Sequence, residues 1–222
     1  MIHSKLSLLF ATFALALGAT ACTSPPRGPG ADDAMMATLT PAQRASIDAA
    51  RANYSLRTDE LAVARLDIVR AEAELALAKT DLELARVGVT RARNVLAIAE
   101  TNSAEDLDAA RKALDLVEAR MPEHEMLVAW HECAVTRSER AEDLAQCSQE
   151  LALANTDLEK ARAFSASEHA ASRGVDVRRS ESRMSECQTR ESVARAELAG
   201  AVRECEMAER AYEAARSTPP KA

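Results

Sequence analysis

Aromatic side chains are nearly missing from this chain, with one Trp, two Tyr and three Phe in 222 residues. Phe10 and Phe13 fall in the first 21 residues, so Tyr54, Trp130, Phe164 and Tyr212 are the only rings after them. A domain of this size ordinarily builds its core and ligand pockets around more rings than that. Glycine is scarce too, at six residues, and none of them forms a phosphate-cradling cluster. No run alternates apolar and polar residues as a strand would. A surplus of positive charge is also lacking: 28 Lys and Arg stand against 35 Asp and Glu, a net charge of −7. Nucleic-acid binding through counterion release needs clustered cations, and so does attraction to anionic headgroups. These absences exclude nucleic acid as an expected partner and leave no small-molecule substrate in view. The expectation is a non-enzymatic chain with no catalytic residues, no cofactor and no metal ligands.

What is present instead is Ala, Leu, Glu, Arg and Asp, the composition of long helices. The chain divides into four parts: a leader at 1–21, a tether at 22–39, a helical domain at 40–217 and a short tail at 218–222.

Lys5 supplies a positive charge, and Leu6 to Ala19 form 14 residues without charge. That run is too short to span a bilayer as a mature helix and reads as an export signal. Ala19-Thr20-Ala21-Cys22 follows directly. The arrangement resembles the lipobox of bacterial lipoproteins, with Ala19 where that family usually carries Leu. The resemblance implies removal of residues 1–21, acylation of Cys22 and a membrane held through the lipid. Thr23 is not Asp, which by the sorting habit of enteric lipoproteins implies the outer membrane, facing the periplasm. The same Ala19-Thr20-Ala21 also suits ordinary signal peptidase, which would release a soluble chain. Removal of 1–21 takes away Lys5 and no acid, leaving 27 basic against 35 acidic residues, a net charge of −8.

Residues 23–39 hold three prolines and two glycines and read as a flexible tether. Thr40-Pro41-Ala42-Gln43 then combines an N-cap, a proline at the first helical position and a Gln able to close a capping box. Ile47, Tyr54, Leu61, Ile68, Leu75, Leu82, Val89 and Leu96 follow at intervals of seven. Ala50, Arg57, Ala64, Ala71, Ala78, Ala85, Ala92 and Ala99 come three residues after each. A large residue at one seam position and alanine at the other holds a single face against a partner helix at close range.

Thr101-Asn102-Ser103 breaks the pattern, and Ser103-Ala104-Glu105-Asp106 restarts a helix. So short a break predicts an antiparallel hairpin. Leu107, Leu114, Met121, Val128 and Val135 carry the seam through Pro122, which predicts a kink there and no domain boundary. After a phase shift, Leu144, Leu151 and Leu158 continue it. Residues 165–174, ending in Gly174, predict the second turn. A last helix carries Val177, Met184, Leu198, Cys205 and Tyr212, with Cys187, Ala194, Ala201, Ala208 and Ala215 on the alternate seam. The fold expected is all-α: a long antiparallel coiled coil with three helices running up, down and up. Its last helix is about two-thirds the length of the second, which leaves a two-stranded tip near Asn102.

Four cysteines follow Cys22, all at seam positions. In an antiparallel hairpin, facing residue numbers add to a constant. Cys133–Cys205 and Cys147–Cys187 come within four residues of one common total, whereas the crossed pairing fits no single register. Neighbours within one helix lie more than about 20 Å apart. Two disulfides are therefore expected in an exported chain. Four buried thiols, or a zinc site built from them, are the alternatives. An odd total of five agrees with Cys22 being consumed by lipid.

His124 and His131 lie seven apart beside Glu125, Glu132 and Cys133, which is not the His-Glu-x-x-His of zinc proteases; solvated or snorkelling histidines are expected. Arg173, Arg178, Arg179 and Arg183 read as a solvated helix start. Arg57, Arg137, Arg140 and Glu191 interrupt the seams and read as register-setting.

The function expected is a lipid-anchored structural or interaction scaffold of the cell envelope. Its partners are the membrane, other envelope proteins, or self-association through helical seams. In logic it resembles the murein lipoprotein: lipidated N-terminus, Ala-rich heptads, and Lys221 near the end, though Ala222 follows it here. The helical hairpin is also similar in form to those of tripartite efflux adaptors, which makes an accessory of envelope transport the alternative. A periplasmic chaperone is a second alternative, set against heptads expected to use up the apolar surface.

Overall fold

The computed structural model describes residues 35–101, 104–167 and 175–217. The expected leader, Cys22, most of the tether, Asn102, Ser103, Arg173, Gly174 and the tail lie outside the described residues. Three long helices follow in order: α1 (Pro41–Ala99), α2 (Ala104–Ser165) and α3 (Val177–Ser217). At 1.5 Å per residue, the 59 residues of α1 make a rod about 90 Å long.

The start of α1 is set locally. The Gln43 backbone N–H donates to Thr40 Oγ1 at 3.3 Å, and the Thr40 N–H donates to Gln43 Oε1 at 2.9 Å. Pro41 loses no hydrogen bond there, because the first N–H groups of a helix have no internal acceptor. Along α1, every residue of both heptad rows is buried or half-buried, and nearly everything else is exposed. Ile47 has no exposed surface and Ala78 only 2%.

Five residues of the expected tether belong to the fold. Residues 35–38 make one helical turn, and Met35 and Leu39 are buried against Ile47, Ala163 and Phe164. Arg44 ties the segment down, donating from Nη2 to the carbonyls of Leu39 at 2.9 Å and Ala37 at 3.1 Å. Burial of two large apolar side chains, about 1.5–3 kcal/mol each, offsets the cost of ordering this short stretch.

The antiparallel register of α1 on α2 is written in a ladder of polar contacts. Thr58 accepts from Gln149 at 3.0 Å, Arg65 meets Glu142 at 2.9 Å, Lys79 meets Glu132 at 3.1 Å and Arg93 meets Glu118 at 2.7 Å. These ion pairs are largely solvated, so each contributes at most about 1 kcal/mol. Beneath them Ala78 and Leu82 pack against Val128, with Leu75, Met121 and Leu127 around them. The helix α2 runs unbroken across Pro122.

Helix α3 lies on α2 as well. Arg183 pairs with Asp157 at 2.7 Å, Arg190 with Glu150 at 2.7 Å, and Arg140 with Glu197 at 3.2 Å. The up-down-up order stands as read. Beyond that reading, α1 and α3 both pack on α2 and hardly touch one another. The array is open, with α2 in the middle. This explains the phase shift along α2: Met121 and Val128 face α1, while Leu144, Leu151 and Leu158 keep helical step with Cys147, on the side toward α3. From residue 123 to 164 most of α2 is at least half covered, whereas from 105 to 120 only one stripe is, as a two-stranded tip requires.

Candidate functional site

The chemically distinctive side chains gather on the α2–α3 seam. Cys187 and Cys205 are buried on α3, and Cys133 and Cys147 are half-buried on α2. Cys133 Sγ donates to the Ala201 carbonyl at 4.0 Å, and Cys205 is its thiol neighbour across the seam. Burial first, then that neighbour and the nearby Glu204 carboxylate, push the Cys133 thiol up to about 11, against the opposing Arg137. Burial and Glu150 raise Cys147, with Arg190 opposing. Arg190 Nη2 also donates to Cys187 Sγ at 3.2 Å. Thiols raised this way are weak nucleophiles at neutral pH. All four are free thiols in this structure. No pair among them is at disulfide distance, so the expected Cys133–Cys205 and Cys147–Cys187 bridges are not formed here. Cys205 is the neighbour of Cys133 and Cys187 that of Cys147, with Arg190 bonded to both Cys187 and Glu150.

One helical turn toward the tip, Trp130 stacks on Tyr212 with centroids 5.6 Å apart and planes 10° apart. Trp130 also meets the His131 ring at 4.9 Å. Of the solvated or snorkelling positions expected for His131 and His124, the structure shows neither fully solvated. Both are half-buried, and the Nδ1 atom of each is enclosed without a hydrogen-bond partner. The nearest acid to His131 Nδ1 is Glu74 Oε2 on α1, at 3.8 Å, beyond hydrogen-bond distance. The reason is the central position of α2: a side chain that clears one neighbour meets the other. Among the described residues, no group of three His, Cys, Asp or Glu is placed to hold a metal ion. The Trp130–Tyr212 stack was not read from the sequence, although Trp130 precedes Cys133 by three and Tyr212 follows Cys205 by seven, which places both near one level of the hairpin.

The arginines divide. Arg178 and Arg179 are exposed, whereas Arg183 is spent on Asp157. Of the seam-interrupting charges, Arg57 turns to Glu60 at 2.6 Å, and Arg140 bridges Asp143 and Glu197. Glu191 accepts from Ser148 Oγ at 2.8 Å. Arg140 and Glu191 thus reach across the seam and set its register. A shallow groove of about 380 Å³ lies beside them, lined by Cys147, Glu150, Arg190, Val193 and Glu197 among others.

The heptads do not use up the apolar surface. Leu56, Val63, Leu66, Leu77, Leu84, Val87 and Ile98 are 53–67% exposed. Five of them follow a buried-seam residue by two positions, about 200° around the helix, and Leu66 and Val87 follow by five, about 140°. They form a second stripe on α1, opposite the one that α2 covers. The signal was in the sequence, in a second seven-residue spacing hidden behind the stronger Leu–Ala repeat.

Among the described residues, no helix is long and apolar enough to cross a membrane. The chain matches no protein-family model, no curated protein and no solved structure.

Proposed function

We propose that this chain is an exported, lipid-anchored scaffold of the cell envelope, held at Cys22 on a tether and presenting a stiff three-helix rod to other envelope components. The observation that supports this most is the sequence order itself. A leader with one basic residue and a charge-free run, ending in Ala19-Thr20-Ala21-Cys22, leads into a Pro- and Gly-containing tether, and then into a helix about 90 Å long whose heptad runs its full length. Such a body offers long surfaces and two ends. The thiol pairs Cys133–Cys205 and Cys147–Cys187 serve this reading as disulfide braces in an oxidising compartment.

A second reading, an accessory that docks through its hairpin tip, is favoured by Val95, Ile98 and Leu116, exposed where α1 and α2 stand alone. Photo-crosslinkers at positions 98–106 in intact cells test both. The scaffold reading expects adducts with envelope proteins that vanish in Cys22→Ser. Adducts confined to cytoplasmic proteins would overturn it.

A further inference from the structure

The outer stripe of α1 has no partner among the described residues, although it is built like a seam. Its two rows run Leu56, Val63, Arg70, Leu77, Leu84, Arg91, Ile98 and Asp59, Leu66, Ala73, Thr80, Val87, Asn94. A repeat of seven sustained over six heptads specifies another helix lying alongside. The seven large apolar side chains leave roughly 700 Å² open, close to the ~800 Å² that each partner buries in a standard protein interface.

The charges in the stripe select the occupant. Asp59, Asp81 and Arg91 make no hydrogen bond or ion pair among the described residues, and Arg70 has only a solvated 3.5 Å contact with Asp67. Parallel pairing with a second copy in register sets Arg70 on Arg70, Arg91 on Arg91 and Asp59 on Asp59, with like charges facing in the seam. Antiparallel pairing about a two-fold axis level with Leu75 does the opposite. It sets Arg91 against Asp59, with Glu60 beside it, and Arg70 against Thr80, with Asp81 beside it. The same register places Leu84 on Leu66, Val63 on Val87, Leu77 on Ala73 and Ile98 on Ala52. By symmetry each contact occurs twice.

We infer that the outer face of α1 is a self-association surface, on which two copies of this chain pair antiparallel through a second heptad seam registered by Asp59 and Arg91. This deepens the scaffold reading by naming a partner, and it does not depend on the lipid. If the anchor stands as well, the two α1 starts, from which the tethers leave, lie at opposite ends of the pair, so the pair lies along the bilayer instead of projecting from it.

Sedimentation equilibrium of the Cys22→Ser mature chain in reductant tests it, because that variant leaves pairing intact whether or not the native chain is lipidated. The expected result is a dimer. Asp59→Arg and Arg91→Asp, both on the exposed face and checked for unchanged helicity, should each weaken dimerisation about tenfold or more, and the double exchange should restore most of it. Leu84→Glu should abolish the dimer. A monomer at 100 micromolar (about 2 mg/ml), a dimer indifferent to Leu84→Glu, or single exchanges that the double variant does not rescue would overturn the proposal. A monomer that dimerises only after residues 22–34 are removed would assign the stripe to that segment instead.

Discussion

The thiol of Cys133 has that of Cys205 as its neighbour across the α2–α3 seam, and burial together with this neighbour raises it to about 11. The raised value has a sign. A thiol harder to ionise in the folded chain than in the unfolded one favours the fold at lower pH, and that contribution is lost as pH climbs from about 9 toward 11. The reduced protein should therefore lose stability over that window, and Cys133→Ser should flatten the loss. Denaturant titrations at pH 8, 9, 10 and 11 measure it.

On oxidation, Cys133–Cys205 should close more readily than Cys147–Cys187, because Arg190 is bonded to the Cys187 sulfur and the second pair sits off the common register. A bridge across so long a loop stabilises by about 4 kcal/mol on the chain-entropy model. Reduction should lower the melting temperature and leave helicity in place. Non-reducing peptide mapping checks the pairing, and a Cys133–Cys187 link would contradict the register.

Trp130 is the only tryptophan, so its fluorescence reports the end of the three-helix section. Tyr212→Ala removes the stacked ring, should shift the emission to the red and should cost about 1 kcal/mol beyond the lost area. An unchanged spectrum would mean that α3 ends elsewhere on α2.

The two faces of α1 should respond oppositely to truncation. Ile47→Ala empties a fully buried site and should cost about 3 kcal/mol, whereas Leu77→Ala on the open face should leave the isolated chain within about 0.5 kcal/mol. Gly88→Ala should stabilise by about 1 kcal/mol, since nothing lies within 4 Å of the added carbon in mid-helix. Urea denaturation at low protein concentration separates these effects from self-association.

Much of the fold was legible because a heptad fixes a face. The rows from Ile47 to Leu96 and from Ala50 to Ala99, the capping box at Thr40 and the helix breaks all follow from local spacing. The heptad does not say which neighbour a face meets. Hence the open order of the three helices, with α2 shared, and the enclosure of His124 and His131 came only from the structure. Met35 and Leu39 were hidden because their segment has no helical period and is held by Arg44 and Phe164 from elsewhere. The stripe through Leu56 and Leu84 was overlooked because two offset sevens overlap on one helix. For the candidate site, the cysteines were legible and their surroundings were not: the places of Arg190 and Tyr212 depend on register finer than one turn.

Incorporation of labelled fatty acid into the native chain and into Cys22→Ser, followed by membrane fractionation, tests the central claim most directly. An anchored scaffold predicts label and membrane retention in the native chain, with both lost in the variant. A variant that stays on the membrane, or a native chain that carries no label, would contradict it.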